Sequence, residues 1–381
     1  MRDGAGLCEL LILALPDRPA ARHISPMRKE IFRMSRDEAV GFLERAPFIH
    51  VAGVSADGAP VLKTVNAVVL EGMLAFHGAP AGEKLDIVGR EVVASAEEVV
   101  ASIPSWFVDA ERACPATTWY RSVQLHGVLA PIEDRAVKAR VLAALMAKFQ
   151  PEGRHVPITA DHPLYKKALD GILVVGVALE RLDGKAKVGQ NRSPEEVARI
   201  AGHLWTRGAP GDVRAIRDLL VANDDRGVPA PEFLAAPAGV TLACAPLERE
   251  IDEVAALLAG EGWNEGIPLA RIGDAQRGST AHVLARDETG RVIASARALS
   301  DGSKHAWIFD VVTTPSWRRQ GVGRALLRLL LDHPSLRGCT FVHLHTRDRT
   351  EFYARFGFRD VGQVARPFGT STEMVLTRVR A

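Results

Sequence analysis

A chain of 381 residues is longer than one ordinary hydrophobic core supports, so length calls for two domains. Apolar residues make up 47% of it and charged residues 25%, the mix of a soluble globular protein. Its 48 basic and 46 acidic side chains leave a net charge of +2, which argues against bulk nucleic-acid binding, and no apolar run approaches a membrane span.

Residues 1–27 read as a leader. The apolar run at 10–15 is short and follows Asp3 and Glu9, too weak for a secretion signal, so a disordered leader or a true start at Met27 is expected. Cys8, Cys114, Cys244 and Cys339 form no C-x-x-C pair, which leaves out a zinc ribbon or dithiol redox motif and fits a reducing cytoplasm. Ser35 and Glu38 form a capping box before Ala39, Val40, Phe42 and Leu43, predicting a helix. Residues 48–55, 60–70 and 73–77, parted by Asp57-Gly58 and Glu71-Gly72, predict a meander of antiparallel strands. Further strands are predicted at 91–100, 122–130 and 172–182, with a helix at 134–149. Many strands and few helices point to a small barrel or sandwich. Ser193-Pro194-Glu195-Glu196 is a second capping box, opening helices that run to about Asn223. Residues 224–239, rich in proline and alanine, read as a linker.

The second pattern starts with a strand at 240–244 and a helix whose face is Ile251, Val254 and Leu258. A hairpin follows at 281–286 and 291–299, then a strand at 305–314 and a helix at 324–331. A strand at 340–346, a short helix at 351–356 and a strand at 372–379 complete it. The chemistry lies where the strand meets the helix. Gly321 and Gly323 let the backbone approach a ligand, and a helix start offers free amides and partial positive charge to an anion. Arg318, Arg319, Arg324 and Arg328 add charge, with no acid between Val311 and Leu331, so an anionic ligand such as a pyrophosphate is expected.

Arg318-x-x-Gly321-x-Gly323 and Phe352-Tyr353-x-x-x-Gly357-Phe358 resemble the paired elements of the GNAT family of N-acetyltransferases, over residues 240–381. The resemblance implies a mixed, twisted α/β sheet with acetyl-CoA between splayed strands. Backbone groups at Val311, Val312 and Thr313 would meet the pantetheine arm. Amides of Arg319, Gln320, Gly321, Val322, Gly323 and Arg324 would hold the pyrophosphate, beside Arg318. Tyr353 would be the general acid for the leaving thiolate. Asp310 and Asp301 are candidates for a general base, each equally readable as a solvated or turn carboxylate. His343 and His345 share a strand face at a metal-ligand spacing, but no further ligands stand nearby in sequence, so a packed pair is expected.

In the first half, Lys63 and Lys84 are candidates to converge on one phosphate, with Thr64 and the backbone at Gly78-Ala79 supplying hydrogen bonds, although on spacing alone two lysines separated by a hairpin read as surface charges. The runs Phe76-His77-Gly78-Ala79…Gly82-Glu83-Lys84-Leu85, Tyr120-Arg-Ser-Val123…Gly127 and Gly184 to Ser193 resemble the FMN-binding split-barrel family, which includes pyridoxamine-phosphate oxidases and nitroimidazole-resistance proteins. That resemblance implies an antiparallel split β-barrel with flanking helices over residues 28–225 that dimerises around FMN. Lys84 would bind the FMN phosphate, His77 and Lys63 would lie along the cofactor, and Ser122 would face the ring system. Glu83 stands where the family commonly has a basic residue. The expected whole is a cytoplasmic N-acetyltransferase for a small amine fused to a flavin barrel. Alternatives are a flavin-dependent oxidoreductase, or a ligand-sensing regulator, with the acetyltransferase part accessory.

Overall fold

The computed structural model describes residues 29–366 and 369–378. The expected leader lies outside them. The chain divides into two compact units, one of residues up to Val99 with Trp119–Lys187, the other of Val100–Thr118 with the residues from Val188 on.

The first unit opens with helix α1 (Arg36–Arg45), whose capping box forms in both directions between Ser35 and Glu38. Its strands are β1 (Ile49–Val54), β2 (Pro60–Val65), β3 (Val68–Leu70), β4 (Met73–Gly78), β5 (Glu91–Ile103), β6 (Thr117–Val128) and β7 (Ala130–Pro131). After helices α2 (Arg135–Phe149) and α3 (Pro163–Gly171) come β8 (Leu173–Ala178) and β9 (Arg181–Lys187). They form two antiparallel sheets, ordered β2-β1-β5-β6-β9 and β3-β4-β8-β7. Ile49, Val51, Leu74, Phe76, Val123 and Val177 fill one core between them, as expected of a split barrel. Two stretches expected as single strands are each two. Residues 60–70 break at Asn66-Ala67, and 172–182 break after Ala178, because at each place the chain passes from one sheet to the other. Hydrophobic alternation continues through such a crossing, so periodicity does not register it.

The second unit contains helices α4 (Pro194–Arg207) and α5 (Asp212–Val221), which the sequence groups with the barrel. Packing explains their place. The Trp205 indole donates to Asp332 at 2.7 Å, and Arg337 donates to the carbonyls of Trp205 and Thr206 at 2.9 and 2.6 Å. The stretch expected as a linker holds two short 3-10 turns, Asp224–Arg226 and Glu232–Leu234. Beyond it lie β10 (Val240–Ala243), α6 (Glu248–Ala259), α7 (Leu269–Arg277), β11 (Ala281–Asp287), β12 (Val292–Ser300) and β13 (His305–Thr313). The last elements are α8 (Val322–Asp332), β14 (Phe341–Thr346), α9 (Thr350–Ala354), β15 (Arg359–Arg366) and β16 (Gly369–Thr377). The seven-stranded sheet runs β10-β11-β12-β13-β14-β16-β15, and β13 and β14 form its parallel pair.

Candidate functional site

The site in the second unit begins with a break in strand pairing. β13 and β14 are in register from His305/Phe341 to Ile308/Leu344, and there the pairing stops, although β13 continues to Thr313. On its other edge β13 stays paired with β12, through a bulge that sets Asp310 and Val311 against Ala296. Asp310 takes a left-handed backbone, φ 52°, which a non-glycine residue holds only when its surroundings enforce it. Those surroundings are Arg297 and Gln276, which donate to Asp310 Oδ2 at 2.6 and 3.2 Å. The Thr314 amide donates back to Ile293 O at 2.9 Å, so strand alternation turns the Thr313 carbonyl toward the opened edge. There it accepts from Arg318 Nε at 3.0 Å. Val311 and Thr313 are half-buried along this edge, and Val312 points into the core beneath α6.

The turn after β13 is curled by two left-handed residues, Arg319 at φ 64° and Gly321 at φ 85°. Gly321 caps α8 without any side-chain hydrogen bond, and no acid stands in the first turn. Amides at this helix start, from Gln320 to Arg324, therefore meet no side-chain oxygen from the cap, while Val322 anchors the turn from within the core. Arg318, Arg319 and Arg324 are exposed. Arg318 also lies 3.6 Å from Glu261, and Gln320 donates to Ser316 O at 2.6 Å, so these two side chains hold the turn as well as face outward. A cavity of about 410 Å³ borders the turn, lined by Ala238, Gly239, Asp287, Glu288, Trp317 and Gln320. Its carboxylates, Asp287 and Glu288, would repel a phosphate.

Both sequence elements converge here. A Cβ on Gly323 would stand 3.6 Å from Thr313 Oγ1 and 3.8 Å from Phe352 Cζ. Tyr353, next to Phe352 on α9, is buried, and its ring packs edge-on against Phe352 and Phe358. Its hydroxyl has no hydrogen-bond partner among the described residues. Burial, only partly offset by Arg349, pushes its pKa up to about 12, so it carries its proton at neutral pH. Thr346, at the end of β14, accepts from the Arg349 amide at 3.2 Å and so holds the turn that carries Tyr353. Asp301 is a turn carboxylate, accepting backbone amides of Ser303, Lys304 and His305. Sequence reasoning missed α7, and with it Gln276, because Pro268 caps that helix without a side-chain bond and glycines interrupt its pattern. Near Asp310, His282 is buried with Nε2 2.9 Å from Ser295 Oγ, and burial, then Arg297, depress its pKa to about 4.

In the first unit, the Lys84 stem lies across Gly78. A Cβ there would stand 2.9 Å from Lys84 Cε, a contact that the flexible lysine stem relieves by shifting. Lys84 Nζ donates to Ala81 O at 2.7 Å. Lys63 pairs with the Glu83 carboxylate, and that hydrogen bond together with the lysine's charge holds the Glu83 pKa below its ordinary value. Lys63 thus reaches the Glu83 carboxylate, next in sequence to Lys84, so a phosphate monoester between these lysines would meet one charge of the cradle cancelled. Thr64 lies on the opposite face of β2 from Lys63, its hydroxyl 3.1 Å from His50 Nδ1. His77 lies on β4, where partial burial lowers its pKa. Ser122 lies on β6 opposite Lys185, three strand steps from Lys63 along the sheet order.

Comparison with known proteins agrees with this division. Residues 35–186 match the family model for pyridoxamine 5'-phosphate oxidase, and residues 249–358 match the model for the acetyltransferase (GNAT) family. Glucosamine 6-phosphate N-acetyltransferase of Trypanosoma brucei brucei is 34% identical over 103 residues, covering 25% of this chain and 70% of that enzyme. The chloroplastic GCN5-related N-acetyltransferase 1 of Arabidopsis thaliana is 36% identical over 73 residues, 19% of this chain and 37% of that protein. Among solved structures, an FAD- and haem-binding protein of Mycobacterium smegmatis aligns over 40% of this chain and 71% of its own, with 22% identity and a TM-score of 0.34.

Proposed function

This chain belongs to the GNAT acetyltransferase family through its C-terminal part, and on that premise we propose that it moves the acetyl group of acetyl-CoA to the amino group of a small molecule. The observation that carries this reading is the meeting of the α8 start, the opened edge of β13 and Phe352, the α9 neighbour of Tyr353, around Gly323. The helix start and the exposed Arg319 and Arg324 suit the pyrophosphate, and the Thr313 carbonyl and its neighbours suit the amide-bearing arm.

In this mechanism the acceptor amine, as the neutral base, forms a bond to the thioester carbonyl carbon. The carbon–sulfur bond then breaks, and the departing thiolate takes the Tyr353 proton while the amine loses one to solvent or a nearby base. Tyr353 keeps its proton through the neutral range, and among the described residues its hydroxyl has no hydrogen-bond partner, so it has a proton to give. Asp310 has Oδ2 committed to Arg297 and Gln276, which supports a positioning role at the bulge over a base.

The barrel is read as a flavin site. Lys84 and Lys63 would hold an FMN phosphate, with His77 and Ser122 along the cofactor, and bound flavin would supply hydride and single-electron chemistry. Thr64, directed to His50, fits this cradle less well than the lysines. Homodimerisation of the barrel is carried over from the split-barrel resemblance. No helix among the described residues is long and apolar enough to cross a membrane, and the balanced charge speaks against nucleic acid. We place the protein in the cytoplasm on its scattered thiols.

The test is thiol release from acetyl-CoA across a panel of primary amines, with acetyl-CoA binding measured by calorimetry. Amine-dependent thiol release is expected. Absence of both release and acetyl-CoA binding would overturn the reading.

A further inference from the structure

The parallel pair at the centre of the second unit carries a ladder of rings that the transfer chemistry does not use. His305 and Trp307 of β13 and Phe341, His343 and His345 of β14 share one sheet face, because they alternate along strands paired in register. Their neighbours Ala306, Ile308, Val342 and Leu344 are buried on the other face. The rings interleave between the strands. His305 stacks on Phe341 at 5.3 Å, His305 meets His343 at 5.3 Å, and Trp307 stacks on His343 at 4.5 Å and on His345 at 5.4 Å. All are half-buried.

The ladder runs into the reaction site. Trp307 lies in the last stretch before the strands part, and His345 precedes Thr346, which holds the Tyr353 turn. Glu373 of β16 stands opposite His345 in register, with Oε1 3.4 Å from His343 Nδ1, while His343 Nε2 lies 3.1 Å from His305 Nδ1. We propose that this ladder is the floor of the acceptor subsite and that the acceptor is an amine bearing an aromatic ring, an inference that rests on the acetyltransferase reading.

Because the rings stack on one another, the faces of the inner ones are used up within the ladder, and side chains standing off a sheet present their edges outward. Aromatic edges carry partial positive charge and favour the negative face of another aromatic ring, in an edge-to-face arrangement. A sugar, by contrast, prefers the open face of a ring for its C–H groups, whereas the inner rings His305, His343 and Trp307 turn their faces to one another. Glu373 supplies the negative charge that receives an ammonium group beside that ring, and loss of the ammonium proton to solvent leaves the neutral amine ready to attack.

The test uses the full chain loaded with CoA and 2-phenylethylamine as probe, followed by calorimetry without turnover. Binding is expected, at least tenfold weaker in Trp307→Ala and largely kept in Trp307→Phe, which preserves a ring edge. Glu373→Gln should weaken 2-phenylethylamine severalfold and leave neutral 2-phenylethanol unchanged. In the rate assay 2-phenylethylamine should exceed glucosamine 6-phosphate and spermidine in kcat/KM. No binding of the aryl amine, equal loss for all three amines in Trp307→Ala, or preference for the sugar phosphate or the polyamine would overturn the proposal. Failure to bind acetyl-CoA would instead overturn the acetyltransferase reading, since the amine is read separately.

Discussion

Gly323 and Phe352 meet at the start of α8, where a methyl group on the glycine would stand 3.8 Å from Phe352 Cζ. That distance, and the 3.6 Å to Thr313 Oγ1, are ordinary contacts, and Gly323 sits within the helix. Gly321, two residues earlier, has φ 85° and would bring a Cβ to 3.5 Å from Pro237 Cγ. The two glycines of one motif therefore do different work. Gly323→Ala should fold with stability unchanged or raised by about 0.5–1 kcal/mol, from better helix propensity, and keep the KM for acetyl-CoA within about threefold. Gly321→Ala should lose about 1–2 kcal/mol from the left-handed backbone and raise that KM at least tenfold. Thermal melts and acetyl-CoA saturation curves decide this, and equal behaviour of the two variants would refute it.

Tyr353→Phe keeps the ring that packs on Phe352 and Phe358 and removes only the hydroxyl. The unit should melt normally while kcat falls about 10²-fold, at the lower end of general acid contributions, with the acetyl-CoA KM little changed. The same residue fixes the alkaline limit. With its pKa pushed up to about 12 by burial, the acid form persists well past the ordinary tyrosine value near 10. The rate should therefore stay level through pH 10 if the protein itself remains folded. A loss centred near pH 10 in a folded sample would assign the acid to an ordinary exposed group.

How much of this was legible in the sequence depends on whether the signal is local. Capping boxes at Ser35 and Ser193, the strand read at 305–314 and the glycine turn are written in adjacent residues; the caps and the turn form as read, and the strand runs His305–Thr313. The α7 helix was not read, since its pattern is short and its cap is silent. Nor was β15, whose pairing with its chain neighbour β16 carries a bulge at Asp360/Gly362 that breaks the strand alternation. Asp310 was legible as a carboxylate near the site, but its partners Arg297 and Gln276 come from other elements, and only the bulge brings them together. In the barrel, Glu83 could be seen as a departure from the family pattern, whereas its pairing with Lys63 needed the fold.

Two buried histidines should make the second unit sensitive to acid. Burial, and then a nearby arginine in each case, depress His282 and His333 from 6.5 to about 4. Folding thus favours the neutral ring, so the unfolded chain takes up protons first. The associated stability is fully present above pH 6.5 and drains away as pH falls toward 4, up to on the order of 3 kcal/mol for each group. The melting temperature should be flat from pH 7 to 8 and fall between 6.5 and 4. His282→Gln, which can still reach Ser295 Oγ, should melt lower at pH 7 and show a shallower fall. A wild-type slope confined to pH values below 4 would place the acid sensitivity in carboxylates instead.

The Lys63–Glu83 pair bears on how tightly the barrel holds a phosphate. Glu83 is well exposed, and its contact with Lys63 lowers the carboxyl pKa, so the charge persists through the neutral range. A surface pair of this kind contributes little to folding. Its effect falls on a dianionic ligand between Lys63 and Lys84, which would meet that carboxylate as well. Glu83→Gln should therefore tighten FMN severalfold and Glu83→Lys at least tenfold, with the melting temperature nearly unchanged in the absence of ligand. Lys84→Met should weaken FMN in all three backgrounds, because the stem over Gly78 would remain but the ammonium would be gone. Quenching of flavin fluorescence on titration gives the affinities directly. Unaltered affinity in Glu83→Lys would mean that the phosphate is held elsewhere, or that the barrel takes a ligand without one.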